Sequence, residues 1–504
     1  LTIGLARLTA SLFAAVLMLA GCDLGPDYHR PSVDIPAAYR ATPQSATAAW
    51  PSADWWRGFN SPELNGLIEQ ARVQNFDIAA AIARVRQADA QVRIAGAPLL
   101  PDFSGAGNAT WQHEGLGGTS TGLGYGRATN ASIDLHEYSF GLDASYQLDF
   151  WGRNLATRQS AVASAMFSRF DQQTVALTVV TDVANTWFTA LSLADRLGVA
   201  RRNLAVAEQV LKVIRGRLDA GTASALDVAQ QEALVDGERA LIPGFISQLE
   251  QEVIALGILV GEPPERINVT PGTLTALDLP PVESGLPSEL LARRPDVAAA
   301  EAQLIAQNFN IKVARAAFFP SVTLTGSAGF QGAALNHLIG PGGALASLAA
   351  GLTLPLFDGG TLRGELEQAK GRYDELLADY RKAVVQAFTD VDTALTAWRY
   401  ASEQERLQRI AVEAATRAAS IATAQLGAGT VDITTVLTAE TTQFNDEDTL
   451  VQVRLTRVQA LLNLYKALGG GWVEADRPVE EQFPGLKPGT VRGGVALPVG
   501  ANVE

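Results

Sequence analysis

Along four short stretches of this chain, hydrophobic and polar positions alternate strictly. Along the long stretches between them, apolar residues return every three or four positions. In 102–112, Phe103, Gly105, Gly107, Ala109 and Trp111 alternate with Asp102, Ser104, Asn108, Thr110 and Gln112. In 138–149, Tyr138, Phe140, Leu142, Ala144, Tyr146 and Leu148 alternate with Ser139, Asp143, Ser145, Gln147 and Asp149. Val322, Leu324 and Phe330 against Ser321, Thr323, Thr325 and Gln331 repeat the pattern, and Leu348, Leu352, Leu354 and Leu356 repeat it over 347–356. Alternation over about ten residues is what a transmembrane barrel strand needs, apolar toward lipid and polar toward a lumen. Trp111, Tyr138, Trp151 and Phe330 fall near strand ends, where an aromatic girdle belongs.

The intervening stretches read as helices. Residues 152–217 contain no proline, and 372–426 contain neither glycine nor proline. Val180, Val183, Trp187, Ala190, Ala194 and Leu197 follow coiled-coil intervals, as do Leu377, Tyr380, Val384, Phe388, Val391, Leu395 and Trp398. A helix over 152–217 is about 100 Å long, more than a globular domain needs. Shorter helices are predicted over 62–97, 224–260, 290–317 and 431–468. Ser61-Pro62 is a start signal for the first. Pro243-Gly244 is expected to interrupt and bend the second.

These elements occur twice. Leu218-Asp219-Ala220-Gly221-Thr222, followed by Val228, returns as Leu426-Gly427-Ala428-Gly429-Thr430, followed by Val436. Asp77-Ile78-Ala79-Ala80-Ala81 returns as Asp296-Val297-Ala298-Ala299-Ala300. The expected organisation is a leader over 1–21, an N-terminal segment over 23–61, a first repeat over 62–261, a linker over 262–289, a second repeat over 290–469 and a tail over 470–504. Within the repeats, hairpins are expected over 102–149 and 320–357, with long helices over 152–217 and 360–426. The segments 23–61, 262–290 and 470–504, rich in Gly and Pro, are expected to gather as a collar around the middle of the helices.

Composition narrows the partners. Charged residues make up only 18% of the 504, and the formal net charge is −14, which argues against nucleic acid. The single cysteine excludes a disulfide framework within the chain. An apolar run over 8–20 behind Arg7 has signal-peptide proportions. Leu19-Ala20-Gly21-Cys22 resembles the lipobox of bacterial lipoproteins. The expected product carries N-acyl and S-diacylglycerol lipid on Cys22, and no other cofactor. Asp23 follows, a residue that in enteric bacteria commonly retains a lipoprotein at the inner membrane; an integral barrel overrides that signal.

Four strands cannot close a membrane barrel, and open edges in lipid leave backbone groups unpaired at several kcal/mol each. Two chains supply eight strands, whose interior side chains would fill; three supply twelve, which leave a lumen. The trimer is favoured: a mixed α and β membrane protein with a twelve-stranded β-barrel, a long helical barrel and an equatorial collar.

Three stretches carry a family likeness: Gly25-Pro26-Asp27-Tyr28, the junction Phe150-Trp151-Gly152-Arg153, and Gly285-Leu286-Pro287-Ser288-Glu289-Leu290-Leu291-Ala292-Arg293-Arg294-Pro295-Asp296-Val297. The chain resembles the TolC-like outer-membrane efflux proteins, in the lipoprotein branch of NodT or OprM type. The resemblance implies a homotrimeric conduit in the outer membrane that extends into the periplasm. It implies docking on a periplasmic adaptor and an inner-membrane pump of the resistance-nodulation-division type, and passive export of drugs or other small molecules. A type I secretion duct, or an envelope-spanning lipoprotein without a lumen, are the competing readings. No Ser/His/Asp or paired-acid constellation suggests an enzyme.

The resemblance also places a gate. In the family the periplasmic end closes at two helix–turn–helix tips, which here are 217–228 and 425–436. Gly221 and Gly429 suit the turn position that tolerates positive φ. Thr222 and Thr430 are expected near the start of the next helix. Family members often carry acidic residues six and nine positions after the second turn glycine; this chain has Thr435 and Thr438 there. Arg217, Asp227 and Asp432 are the charged candidates left for a ring about the axis. Other patterns get bland readings. Gly122, Gly124 and Gly126 have no helix start after them, so a phosphate cradle is not expected. His113-Glu114 and His136-Glu137 read as a solvated loop rather than a metal site.

Overall fold

The computed structural model describes residues 25–472, apart from 37, 41–49, 117–130, 270–271, 275–276, 278, 281–286 and 341. The leader, Cys22, the tail beyond Trp472 and the glycines at 122, 124 and 126 lie outside the described residues.

Among the described residues, seven α-helices longer than one turn and four strands carry the chain. They are α1 (Pro62–Gln74), α2 (Phe76–Gly96), β1 (Asp102–Leu116), β2 (Ala131–Leu148), α3 (Arg153–Asp219), α4 (Ala225–Val260), α5 (Pro295–Ala316), β3 (Ser321–Gly332), β4 (Ala344–Thr353), α6 (Thr361–Ala428) and α7 (Ile433–Ala467). The two long helices have 67 and 68 residues, so each runs for about 100 Å. The strands form one antiparallel sheet in the order β1-β2-β3-β4. Among the described residues, no helix is long and apolar enough to cross a membrane.

Several expectations need correction. The helix expected over 62–97 is two helices, because Asn75 is extended at φ −62° and ψ 132°. Its side-chain oxygen accepts from Asp77 N and Ile78 N at 2.8 and 3.0 Å, and its amide donates to Leu259 O at 2.8 Å. A buried Asn with those partners is a helix cap, not a helix interior. Pro243 does not interrupt α4, which is helical throughout. Pro243 and Gly244 are exposed, while Ile242, Phe245 and Ile246 pack against Leu193 and Leu197 of α3 and hold both sides of the proline down. Helix α5 begins at Pro295 rather than 290, after a separate turn Pro287–Leu290. Strand β4 ends at Thr353, so Leu354 and Leu356 are outside it; Pro355 has no N–H for a ladder. In the other direction, β1 and β2 continue to Leu116 and from Ala131, into the stretch read as a loop.

Each hairpin hands over to its long helix in the same way. Asp149 accepts from Asn154 N and Leu155 N at 3.1 and 2.8 Å, and Gly152 has φ +69°. In the second copy Asp358 accepts from Gly360 N and Leu362 N at 3.0 and 2.7 Å, and Gly360 has φ +94°. Trp151 ties the two copies by donating to Pro320 O at 2.7 Å.

Helix α3 packs against α2, α4, α5 and α7, and α6 packs against α5 and α7. The order across the layer is therefore α2 with α4, then α3, then α5 with α7, then α6. The described parts of 25–61 and 262–290 close on its middle. Trp55 stacks on Tyr465 at 4.8 Å, Phe59 meets Phe188 edge-on, and both join a core with Leu274, Val183 and Leu461. Tyr28 is fully buried and donates to Glu301, which Arg30 grips with two bonds of 2.6 Å.

Candidate functional site at the paired helical turns

Both long helices stop by the same device. After α3, Gly221 has φ +75°, Gly221 N donates to Leu218 O at 2.9 Å and Thr222 N to Arg217 O at 2.8 Å. After α6, Gly429 has φ +75°, Gly429 N donates to Leu426 O at 3.0 Å and Thr430 N to Gln425 O at 3.0 Å. These paired bonds around a left-handed glycine are a Schellman stop. Thr222 and Thr430 therefore close the preceding helix. Their hydroxyls also donate back, to Arg217 O and Gln425 O at 3.1 Å each. The expectation that they start the next helix is corrected.

That task falls to Ser224 and Asp432. Ser224 Oγ accepts from Asp227 N at 3.2 Å, and Asp227 Oδ2 accepts from Ser224 N at 2.7 Å, a reciprocal capping box. Asp432 Oδ1 accepts from Thr435 N at 2.9 Å and from Thr435 Oγ1 at 2.8 Å. Those bonds, the backbone one first, hold the Asp432 carboxyl below the usual carboxylate range. Thr438 donates to Thr434 O at 2.8 Å along its own helix. So Asp227 and Asp432 are both helix caps. Asp432 remains exposed.

The two turns form one body. Val210, Ile214, Ala422, Leu426, Ile433 and Val436 make a small core with Ala223 and Val228 at its edge. Arg217 reaches across and donates to Gly427 O at 3.5 Å, a long bond. Between α6 and α7 runs a groove of about 500 Å³, lined by Ala415, Ala418, Asp432, Thr434, Thr435 and Thr438. Higher up, Arg196 of α3 binds Asp448 of α7 with bonds of 2.7 and 3.0 Å.

At the other end, His113 Nδ1 lies 2.7 Å from Asp134 Oδ1, and His136 pairs with Trp111 across the strands. These residues are in strand, not loop. Among the described residues no group of three or more His, Cys, Asp and Glu is placed to hold a metal.

The sequence profile described as outer membrane efflux protein matches residues 67–262 and 286–470. The chain belongs to the outer membrane efflux protein family. It is 39% identical over 473 residues to the pyoverdine export outer membrane protein OpmQ of Pseudomonas aeruginosa, covering 93% of this chain and 97% of that one. It is 32% identical over 478 residues to the probable efflux pump outer membrane protein TtgC of Pseudomonas putida, covering 94% and 97%. The solved outer-membrane channel OprN superposes with a TM-score of 0.81 at 28% identity, over 90% of this chain and all of that one. This efflux protein is thus an outer-membrane protein with the fold of the TolC-like channels: mostly helical, with a few strands.

Sequence reasoning missed one buried polar cluster in the tip. Gln231 of α4 and Glu440 of α7 are almost inaccessible, at 0% and 1%. Gln231 Nε2 donates to Ala207 O at 3.0 Å and to Glu440 Oε2 at 3.4 Å. Burial raises the Glu440 carboxyl above its ordinary range. The signal was available: Ile433, Val436, Glu440 and Phe444 follow helical spacing on one face, and the other three are core.

Proposed function

We propose that this efflux protein is a homotrimeric duct. Twelve strands close a barrel in the outer membrane, and the helices continue it into the periplasm as a second barrel. A periplasmic adaptor and an inner-membrane pump feed it, with the paired turns as gate and docking surface. Lipid on Cys22 anchors its N-terminal segment. No chemistry is asked of the duct itself; it conducts small molecules outward.

One observation carries the reading. The sheet ends at β1 on one side and β4 on the other, with neither edge paired to another described strand. Its β1-β2 face bearing Phe103, Phe140 and Leu142 is exposed and apolar, while the opposite face carries Ser104, Asn108, Ser139 and Asp143. Lipid demands closure, and a head-to-tail pairing of β4 with the next β1 provides it. The helical layer ends in the same sense. Helix α4 exposes Leu241, Ile254 and Ile258, and α6 exposes Val385, Leu407 and Ile410, so neighbouring copies have apolar helix edges to bury. Three copies, rather than two, leave a lumen.

The test is reconstitution. Detergent-purified protein is weighed by native mass spectrometry and inserted into planar bilayers. Three chains and stepwise conductance are expected. A monomer that stays soluble without detergent refutes the duct. The name of OpmQ makes pyoverdine the first cargo to assay, by its retention in cells deleted for this gene.

A further inference from the structure

The Gln231–Glu440 cluster lacks a hydrogen. Gln231 Oε1 and Glu440 Oε1 are both buried, and neither has a hydrogen-bond partner. Gln231 Nε2 donates to Ala207 O and to Glu440 Oε2. An ionised Glu440 would be a buried charge without a counter-ion, with one oxygen unsatisfied, which is a costly arrangement. A proton on the carboxyl removes the charge and supplies a donor.

The charges on the surrounding helices do not answer it. On α3, Glu208 is bound to Arg239 of α4, Arg215 is bound to Glu232 of α4, and Lys212 is exposed. On α4, Asp227 is spent in its capping box. On α6, Glu413 and Arg417 are exposed, and Arg409 is bound to Glu405. On α7 itself, Asp432 caps the helix, and Glu447 accepts from Gln443.

The position gives the cluster its meaning. Glu440 lies between the tip core at Val436 and the next apolar layer, where Phe444 meets Ala207, Leu211 and Val235. It joins α7 to α4, and through Gln231 to α3. Parting of the α6–α7 pair from the α3–α4 pair would expose it to water. We propose that Glu440, kept as a neutral acid by its burial beside Gln231, is a proton-dependent latch on the closed tip. Losing the proton favours the parted arrangement, in which a carboxylate is hydrated. This inference rests on the duct reading and adds a regulation to it.

The sign follows from the burial. A carboxyl whose pKa is raised in the packed state stabilises that state most at low pH. That advantage is lost as pH rises from the ordinary carboxylate range toward the raised value. Open probability in planar bilayers is therefore expected to rise with pH in the native trimer. Glu440→Gln keeps the shape and cannot ionise, so its opening is expected to stay at the native low-pH level throughout. Gln231→Met removes the one bond that favours the charged form, so the opening midpoint is expected to move to higher pH. Difference infrared spectra of the native trimer are expected to show a protonated-carboxyl C=O band that is absent from Glu440→Gln. Channels whose opening ignores pH, a midpoint unmoved in Gln231→Met, or the same C=O band in Glu440→Gln would each overturn the latch and leave the duct standing. A native protein with no conductance at any pH overturns the duct, and the latch with it.

Discussion

Phe140 provides a direct test of which way the sheet faces. It pairs with Gly107 of β1 and Phe330 of β3, and it is 59% exposed. The apolar face runs along β1 from Phe103 to Trp111, a step of eight residues. At about 3.3 Å per residue this is roughly 26 Å of strand. A tilt of about 40° reduces it to roughly 20 Å of membrane height, close to the ~25 Å band of such barrels. Gly107 is halfway along that run, so its partner Phe140 lies near the bilayer midplane. Arginine at that depth on a lipid face costs about 2–4 kcal/mol. With three copies, Phe140→Arg is expected to destabilise the assembly by roughly 6–12 kcal/mol. Ser139 is one residue away and points to the other face, among Asn108 and Gln331. Ser139→Arg is expected to change stability by less than about 0.5 kcal/mol, because its guanidinium enters water. The assay is urea unfolding of protein folded into lipid vesicles, supported by the heat resistance of the trimer band on gels. Equal costs for the two variants, or a larger cost for Ser139→Arg, would refute a lipid-facing Phe140 and the barrel built on it.

Three more outcomes are expected. Gly429→Ala puts a Cβ on a residue at φ +75°, where space is open but the backbone is strained, and should cost about 1–2 kcal/mol per chain in thermal or chemical melts. Glu301→Ala leaves the partly buried Arg30 and the buried Tyr28 hydroxyl without their carboxylate. It should cost about 3 kcal/mol and speed proteolysis within 25–40, with α3 and α6 intact in circular dichroism. Asp432→Ala removes a helix cap and an exposed tip charge together, so it should alter cation block of the pore. Because the Asp432 carboxyl is held low, the stability it adds to the tip is present above the ordinary carboxylate range and is lost as pH falls through its depressed value. A melt of the variant that keeps the native acid dependence would exclude that contribution.

Period and duplication were readable because they are local. Alternation located all four strands, and three-to-four spacing located the long helices to within two residues at each end. What escaped depends on groups distant in sequence. Asn75 breaks the first helix partly because Leu259 O, on α4, waits for its amide. Pro243 is harmless because Phe245 and Ile246 are pinned by α3. The strands overran their expected ends because residues beyond Trp111 still pair, while the faces exchange character there. Beyond that point His113 and Asp134 are opposite one another, and Gln112 is opposite Leu135. The hidden Glu440 escaped because its burial depends on Gln231 of α4 and, through it, on Ala207 of α3. At the tip, the capping bonds of Asp227 and Asp432 and the reach of Arg217 to Gly427 needed coordinates.

The two copies also separate architecture from use. Where they agree, the agreement has a mechanical cause: Gly221 and Gly429 share a φ, and Thr222 and Thr430 make the same bond backward. Gly-Thr is therefore a helix stop, and its duplication needs no gate to explain it. The next helix starts show the same economy with the parts exchanged. Ser224 and Asp227 occupy cap and third position in the first copy, and Asp432 and Thr435 occupy them in the second. The acid changes place while the hydroxyl takes the other. The divergent positions are different in kind. Arg217 spans to the second tip, where its counterpart Gln425 instead supplies the carbonyl that ends α6. Glu232 is only half-buried and is neutralised by Arg215, whereas its counterpart Glu440 is buried without a cation. A helix pair needs neither difference in order to fold. If gating has a physical seat in this tip, asymmetry between otherwise equivalent helices is where it must lie, so paired exchanges test it. Placing Gln at 232 should leave opening unchanged, while placing Gln at 440 should not. Equal effects from both would mean that the copies share the work and that burial of one carboxyl is incidental.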